Sequence, residues 1–164
     1  HFKNADPILD YVIGKVGALD YTPESDGFAF LVQVIIGQML SAKAADTIHS
    51  RLLAKVDGTV TPTAVAMLEE DSLRSLGIAR RKAQTILALA QQVIQDPQVL
   101  DDLASLDDRQ CLACLCRYKG IGPWTAKMYL IFVLDRPDVL PLEDGAFLQA
   151  YRHLYGDADN RVGG

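Results

Sequence analysis

Several large classes of protein are excluded by what the sequence lacks. Its three cysteines, Cys111, Cys114 and Cys116, fall in one short segment, and an odd, clustered set does not read as a disulfide framework. A reducing compartment is expected. Neither His49 nor His153 stands at a spacing that would complete a zinc set with those thiols, so no cofactor is expected from them. The longest apolar run, Tyr129 to Leu134, is far shorter than the roughly 20 residues that cross a bilayer. The N-terminus has no basic stretch leading into an apolar signal core. These absences predict a soluble, cytoplasmic protein without a membrane partner. Low-complexity tracts, linkers and internal repeats are missing too.

An excess of positive charge is also missing. The net charge is −5, which by itself argues against a polyanionic partner, because phosphate neutralisation needs clustered Lys and Arg. Distribution changes that reading. Ser72–Gln95 carries Arg74, Arg80, Arg81 and Lys82 without an acid, and Arg109–Lys127 carries Arg109, Arg117, Lys119 and Lys127 without one. Two locally basic segments therefore lie in an acidic chain, as solvated helix ends or as a phosphate-facing surface.

What is present is helical periodicity. Apolar residues recur three and four apart and period-2 alternation is absent, so the fold class is all-α. With 164 residues and 49% hydrophobic content the chain is large enough for its own core, and residues 1–164 are read as one helical, monomeric domain. Asp6–Pro7 starts a helix carrying Ile8, Tyr11, Val12 and Val16. Phe28 to Leu40 is apolar on nearly every side, which predicts a central buried helix. Ser41 caps the next, Thr61 or Thr63 a short one, and another short element ends at Gly77. Arg80 to Ile94 is amphipathic, with Ala83, Ile86, Leu87, Ala90 and Val93 inward and Lys82, Gln91 and Gln92 outward. Asp107 or Asp108 starts a helix to Arg117, a turn leads into Trp124–Leu134, and a last helix follows Asp144.

The turn is the informative segment. In Lys119-Gly120-Ile121-Gly122-Pro123-Trp124-Thr125-Ala126, two glycines around one aliphatic residue permit a sharp reversal and close backbone approach. Pro123 suits the first position of a helix. The N–H groups and dipole at that helix start favour an anion, and a DNA phosphate fits a hairpin lined by Arg117, Lys119 and Lys127. An ordinary helix–turn–helix with a glycine cap and a proline start would look the same.

Gly120-Ile121-Gly122-Pro123-Trp124-Thr125-Ala126 resembles the hairpin of the helix-hairpin-helix DNA glycosylases, particularly those similar to bacterial 3-methyladenine DNA glycosylase II. Leu140-Pro141-Leu142-Glu143-Asp144 resembles the loop carrying their catalytic aspartate, Ile36-Gly37-Gln38-Met39-Leu40-Ser41 their Gly-Gln-x-x-Ser segment, and Leu76-Gly77-Ile78 with Lys82-Ala83 a further landmark. The resemblance implies two helical layers flanking a DNA-binding groove, with Asp144 at its floor. It also implies hydrolysis of the N-glycosidic bond of a damaged base, an alkylated purine by this likeness, in double-stranded DNA during base-excision repair.

Residue by residue, the resemblance implies phosphate held near Gly120, Gly122 and Thr125, with Lys119, Lys127 and Gln38 also on the DNA side. It implies a bound Na+ or K+ at the hairpin carbonyls of Cys116, Tyr118 and Gly120. Met39 stands where the family places a minor-groove wedge, although a methionine on an apolar helix equally suits a core. Trp124 replaces the lysine that forms a Schiff base in relatives resembling endonuclease III, which implies a monofunctional enzyme; its ring lines the base pocket or belongs to the core. Asp144 is the catalytic carboxylate, a helix cap, or both, with Glu143 as the neighbouring candidate. Cluster-bearing relatives carry four cysteines after the aspartate, and none follows Cys116 here. Relatives resembling 3-methyladenine glycosylase II continue beyond the helix after the aspartate, so the chain is expected to be an excerpt or to lack that continuation. A uracil or mismatch glycosylase, and a non-catalytic DNA-binding hairpin module, are the alternative functions.

Overall fold

The computed structural model describes residues 5–17 and 20–156. It divides into two compact units, Pro23–Leu140 and a second made from the two ends of the chain, His1–Thr22 with Pro141–Gly164. Among the described residues there are helices and no strand, as the periodicity predicts.

The larger unit runs α2 (Gly27–Gly37), α3 (Ala42–Lys55), α4 (Pro62–Ala66), α5 (Glu70–Ser75), α6 (Arg80–Gln95), a 3-10 turn (Asp102–Ser105), α7 (Asp108–Leu115) and α8 (Pro123–Phe132). α2 is its centre and packs against α3, α6 and α8. Leu31, Val32, Ile35 and Ile36 are essentially inaccessible, each contributing about 1.5–3 kcal/mol of burial. α6 buries Ala83, Ile86, Leu89, Ala90 and Val93 against this core, and α4 and α5 pack on it.

Local chemistry sets the helix starts. Asp26, Ser41 and Thr61 accept from the backbone N–H of Ala29, Ala44 and Ala64. Asp107, rather than Asp108, opens α7 through a reciprocal box with Gln110, the kind of cap worth about 0.5–2 kcal/mol. The helix ends are shorter than the apolar pattern suggests. α2 stops at Gly37 rather than Leu40, α7 at Leu115 rather than Arg117 and α8 at Phe132 rather than Leu134; beyond α2 and α7 the chain turns out to exposed Met39, Leu40, Cys116 and Arg117, and only after α8 do Val133 and Leu134 stay partly buried.

The smaller unit contains α1 (Pro7–Val16) and α9 (Gly145–Tyr155). Neither has a fully buried residue; of the apolar residues that α1 carries, Ile8, Tyr11 and Val16 stay exposed. Asp6 ties this unit together, capping α1 at Leu9 N (2.9 Å) and accepting from the Tyr155 hydroxyl (2.6 Å). Those bonds, the Leu9 amide first and Tyr155 next, lower the Asp6 carboxyl pKa. A depressed carboxylate contributes stability above its unfolded pKa and loses it as pH falls through the folded value. Tyr155→Phe is therefore expected to raise the Asp6 midpoint in an NMR titration; an unmoved midpoint would contradict the pairing.

Candidate nucleic-acid interface

The hairpin joins α7 to α8. After Leu115 the chain makes tight turns, Tyr118 N donating to Leu115 O (3.1 Å) and Ile121 N to Tyr118 O (3.0 Å). Ile121 is buried and anchors the tip in the core, and Lys119 stands exposed beside it. The two flanking glycines do different work. Gly120 has φ +90, and a Cβ there would collide with the Thr85 side chain of α6. Gly122 has φ −97, and a Cβ there would meet nothing within 4 Å. Packing inside the protein demands the first glycine and is indifferent to the second.

Gly122 is also the N-cap of α8 and supplies no side-chain acceptor to the helix start. Thr125 is turned inward, its Oγ1 accepting from Gln38 Nε2 at 3.0 Å, so only its backbone N–H is available to an outside partner at this helix end. Gln38 Nε2 also approaches Gly120 O at 3.4 Å. Gln38 thus braces the hairpin from the α2 end, a contact that its expected place on the DNA side did not anticipate. Lys127 lies one turn along α8 from Trp124 and is half-buried.

Met39 is not core. It protrudes with 102% relative exposure and a left-handed backbone, φ +58, a conformation costing a non-glycine residue about 1–2 kcal/mol. Lys82 is not an outward residue of α6, contrary to the pattern. It is half-buried, and its ammonium donates to Ile36 O (2.8 Å) and Gln38 O (2.6 Å) at the end of α2. Burial lowers its pKa.

Trp124 is half-buried and lines a cleft of about 380 Å³ between α2, α3 and α8, with Phe30, Leu40, His49, Met128 and Phe132. It is part of a wall rather than of the closed core. Burial lowers the pKa of His49, opposed by the Asp46 charge. Neither His49 nor Lys82 was singled out as a site residue by motif; a polar residue on a mostly apolar helix face was the available signal for both.

Asp144 caps α9, its Oδ1 accepting from Phe147 N at 2.7 Å. The capping role is therefore real, and it fixes the carboxylate at a helix start. Glu143 is more exposed than Asp144.

The first basic segment is less basic in three dimensions than in sequence. Arg74 pairs with Asp71 at 2.9 Å and Arg80 with Glu70 at 2.7 Å, acids that lie in or beside the same short helix. Arg81 is exposed. The second segment presents exposed Arg109, Arg117 and Lys119 along α7 and the hairpin. Cys111 is buried and its thiol donates to Leu103 O at 3.1 Å, which gives it a structural use.

A hairpin of this geometry between two helices, in an all-helical chain, defines a class: the chain belongs to the HhH-GPD superfamily of base excision DNA repair proteins, whose family model matches residues 32–161. Among named relatives, it is 29% identical to DNA-3-methyladenine glycosylase 1 of Schizosaccharomyces pombe, over 94% of this chain and 71% of that protein. It is 31% identical to the probable bifunctional transcriptional activator/DNA repair enzyme AlkA of Mycobacterium tuberculosis, over 96% of this chain but only 33% of that protein. The solved S. pombe 3-methyladenine DNA glycosylase in complex with abasic DNA superposes with a TM-score of 0.84 at 26% identity, covering 94% of this chain and 78% of that one. Among the described residues no helix is long and apolar enough to cross a membrane.

Proposed function

We propose that the chain is a monofunctional DNA glycosylase that removes a damaged base, an alkylated purine by class, from double-stranded DNA. The observation that carries this reading is Trp124. It stands at the start of the hairpin's second helix and lines the cleft, where an indole offers an aromatic wall and no amine. A base stacked in duplex is out of reach and must be flipped into a pocket. A cationic alkylated purine is both a good leaving group and a good partner for an aromatic face.

In the proposed reaction the bond between C1′ and the base nitrogen breaks and its electron pair leaves with the base. Positive charge develops on the sugar, where the Asp144 carboxylate stabilises it. Water then adds its oxygen to C1′ and gives up a proton toward the same carboxylate, leaving an abasic site. Backbone amides around Gly120, Gly122 and Thr125, with Lys119 and Lys127, hold the DNA phosphates, and Met39 fills the space of the extruded nucleotide. A Na+ or K+ would be held by the carbonyls of Cys116, Tyr118 and Gly120. The hydrogen bonds Tyr118 O and Gly120 O accept leave each a second lone pair. The protein works as an intracellular monomer on DNA.

Incubation with alkylated duplex DNA tests the assignment. Mass spectrometry is expected to find released alkylpurines, strands are expected to break only after alkali or heat, and borohydride is expected to trap no adduct. A covalent protein–DNA adduct would overturn the monofunctional reading. Release of uracil or a mismatched base alone would reassign the substrate, and salt-sensitive binding without any base release would make the chain a binding module.

A further inference from the structure

We propose that Lys82 is a positioning residue that holds Met39 in its outward, left-handed conformation and thereby sets how readily a base is extruded; this rests on reading Met39 as the wedge. Met39 is fully exposed, so it has no packing of its own to select a conformation that its backbone disfavours. Its neighbours must select it. The carbonyl of Gln38 belongs to the peptide unit that enters Met39, and fixing that carbonyl fixes the peptide plane from which the φ of Met39 is measured.

Lys82 does this directly. From the first turn of α6 its ammonium bridges Ile36 O at 2.8 Å and Gln38 O at 2.6 Å, satisfying carbonyls that the end of α2 leaves without helical partners. Two further bonds complete the frame. The Gln38 amide reaches Thr125 Oγ1 and Gly120 O in the hairpin, and Leu40 N closes onto Gly37 O at 3.0 Å. The exposed methionine thus sits at the apex of a turn whose base is tied to both α6 and the hairpin. A lysine in a basic segment would ordinarily be assigned to DNA phosphate. Here the ammonium points at carbonyls inside the protein, so its removal should not change the salt dependence of DNA binding, as loss of a phosphate contact would.

The test uses a duplex containing a tetrahydrofuran abasic analogue beside 2-aminopurine, and the same duplex undamaged. Lys82→Met is expected to lower the preference for the abasic duplex about tenfold, within the loss that a small misplacement of a working group produces, and to reduce the 2-aminopurine signal. Affinity for the undamaged duplex and its salt slope should stay unchanged. Lys82→Arg, which keeps the donors, should restore the preference, and Lys82→Met combined with Met39→Ala should be no worse than Met39→Ala alone. If Lys82→Met fails to fold, Lys82→Gln carries the same comparison. Should Lys82→Met keep the preference while Met39→Ala loses it, the wedge stands and the positioning role falls. Should Met39→Ala keep the preference as well, the wedge reading itself is wrong and the inference falls with it.

Discussion

Asp144→Asn is expected to cost on the order of 100-fold or more in single-turnover base release, while the melting temperature stays near that of the parent protein or rises slightly. The asymmetry follows from what the residue does twice. As the cap of α9 it accepts one hydrogen bond from Phe147 N, and asparagine caps a helix about as well as aspartate. As a carboxylate it supplies the negative charge that offsets the positive charge growing on the sugar, and a neutral amide cannot. Stability and chemistry therefore separate on substitution by one isosteric group, and removal of an active-site charge often relieves the fold. Glu143→Gln is the control, because it neutralises the adjacent residue and leaves the cap alone. Single-turnover excision on alkylated duplex, with circular dichroism on both variants, reads the difference. Full activity in Asp144→Asn would end the proposal that its charge carries the reaction.

Gly120→Val and Gly122→Val are expected to fail in opposite ways, although the glycines are two residues apart in one turn. Gly120 has φ +90 and backs onto Thr85, so a β-branched side chain there meets both a disfavoured backbone and a filled space. A loss of about 2–4 kcal/mol of stability is expected, the sum of a strained left-handed residue and overpacking. Gly122 has an ordinary φ and open space around it, so valine there should change the melting temperature little. Its cost should appear only with DNA, where a bulky group at the cap of α8 keeps phosphate from the helix amides and weakens binding to every duplex, lesion or not, by about tenfold. Thermal melts and filter binding on the pair separate the two roles. A Gly122→Val variant that folds and binds DNA as tightly as the parent would show that the hairpin does not take phosphate there.

Much of the architecture is legible in sequence because helix formation is governed by near neighbours. The caps at Asp6, Ser41 and Asp144 sit where their residue types and the following apolar spacing predict, and the structure selects Thr61 over Thr63 and Asp107 over Asp108. The central place of α2 follows from apolar residues on nearly all its sides. The errors arise where a local pattern meets a distant partner. Lys82 reads as an outward residue because a charged side chain on an amphipathic helix ordinarily faces water, yet carbonyls 44 and 46 positions earlier in the chain claim its ammonium. Arg74 and Arg80 read as a positive patch, yet Asp71 and Glu70, immediately before the acid-free stretch, pair with them.

The sequence by itself determined the all-helical class, the position of the hairpin and the family likeness, because each depends on residue order over a few turns of chain. Tertiary structure decided the rest. It turned Met39 outward instead of into the core, assigned Gln38 to the hairpin, and separated Gly120, which Thr85 requires, from Gly122, which no internal contact requires. Those choices depend on which surfaces meet when α2, α6 and α8 pack together, and side-chain spacing along one helix carries no information about what a different helix will place against it.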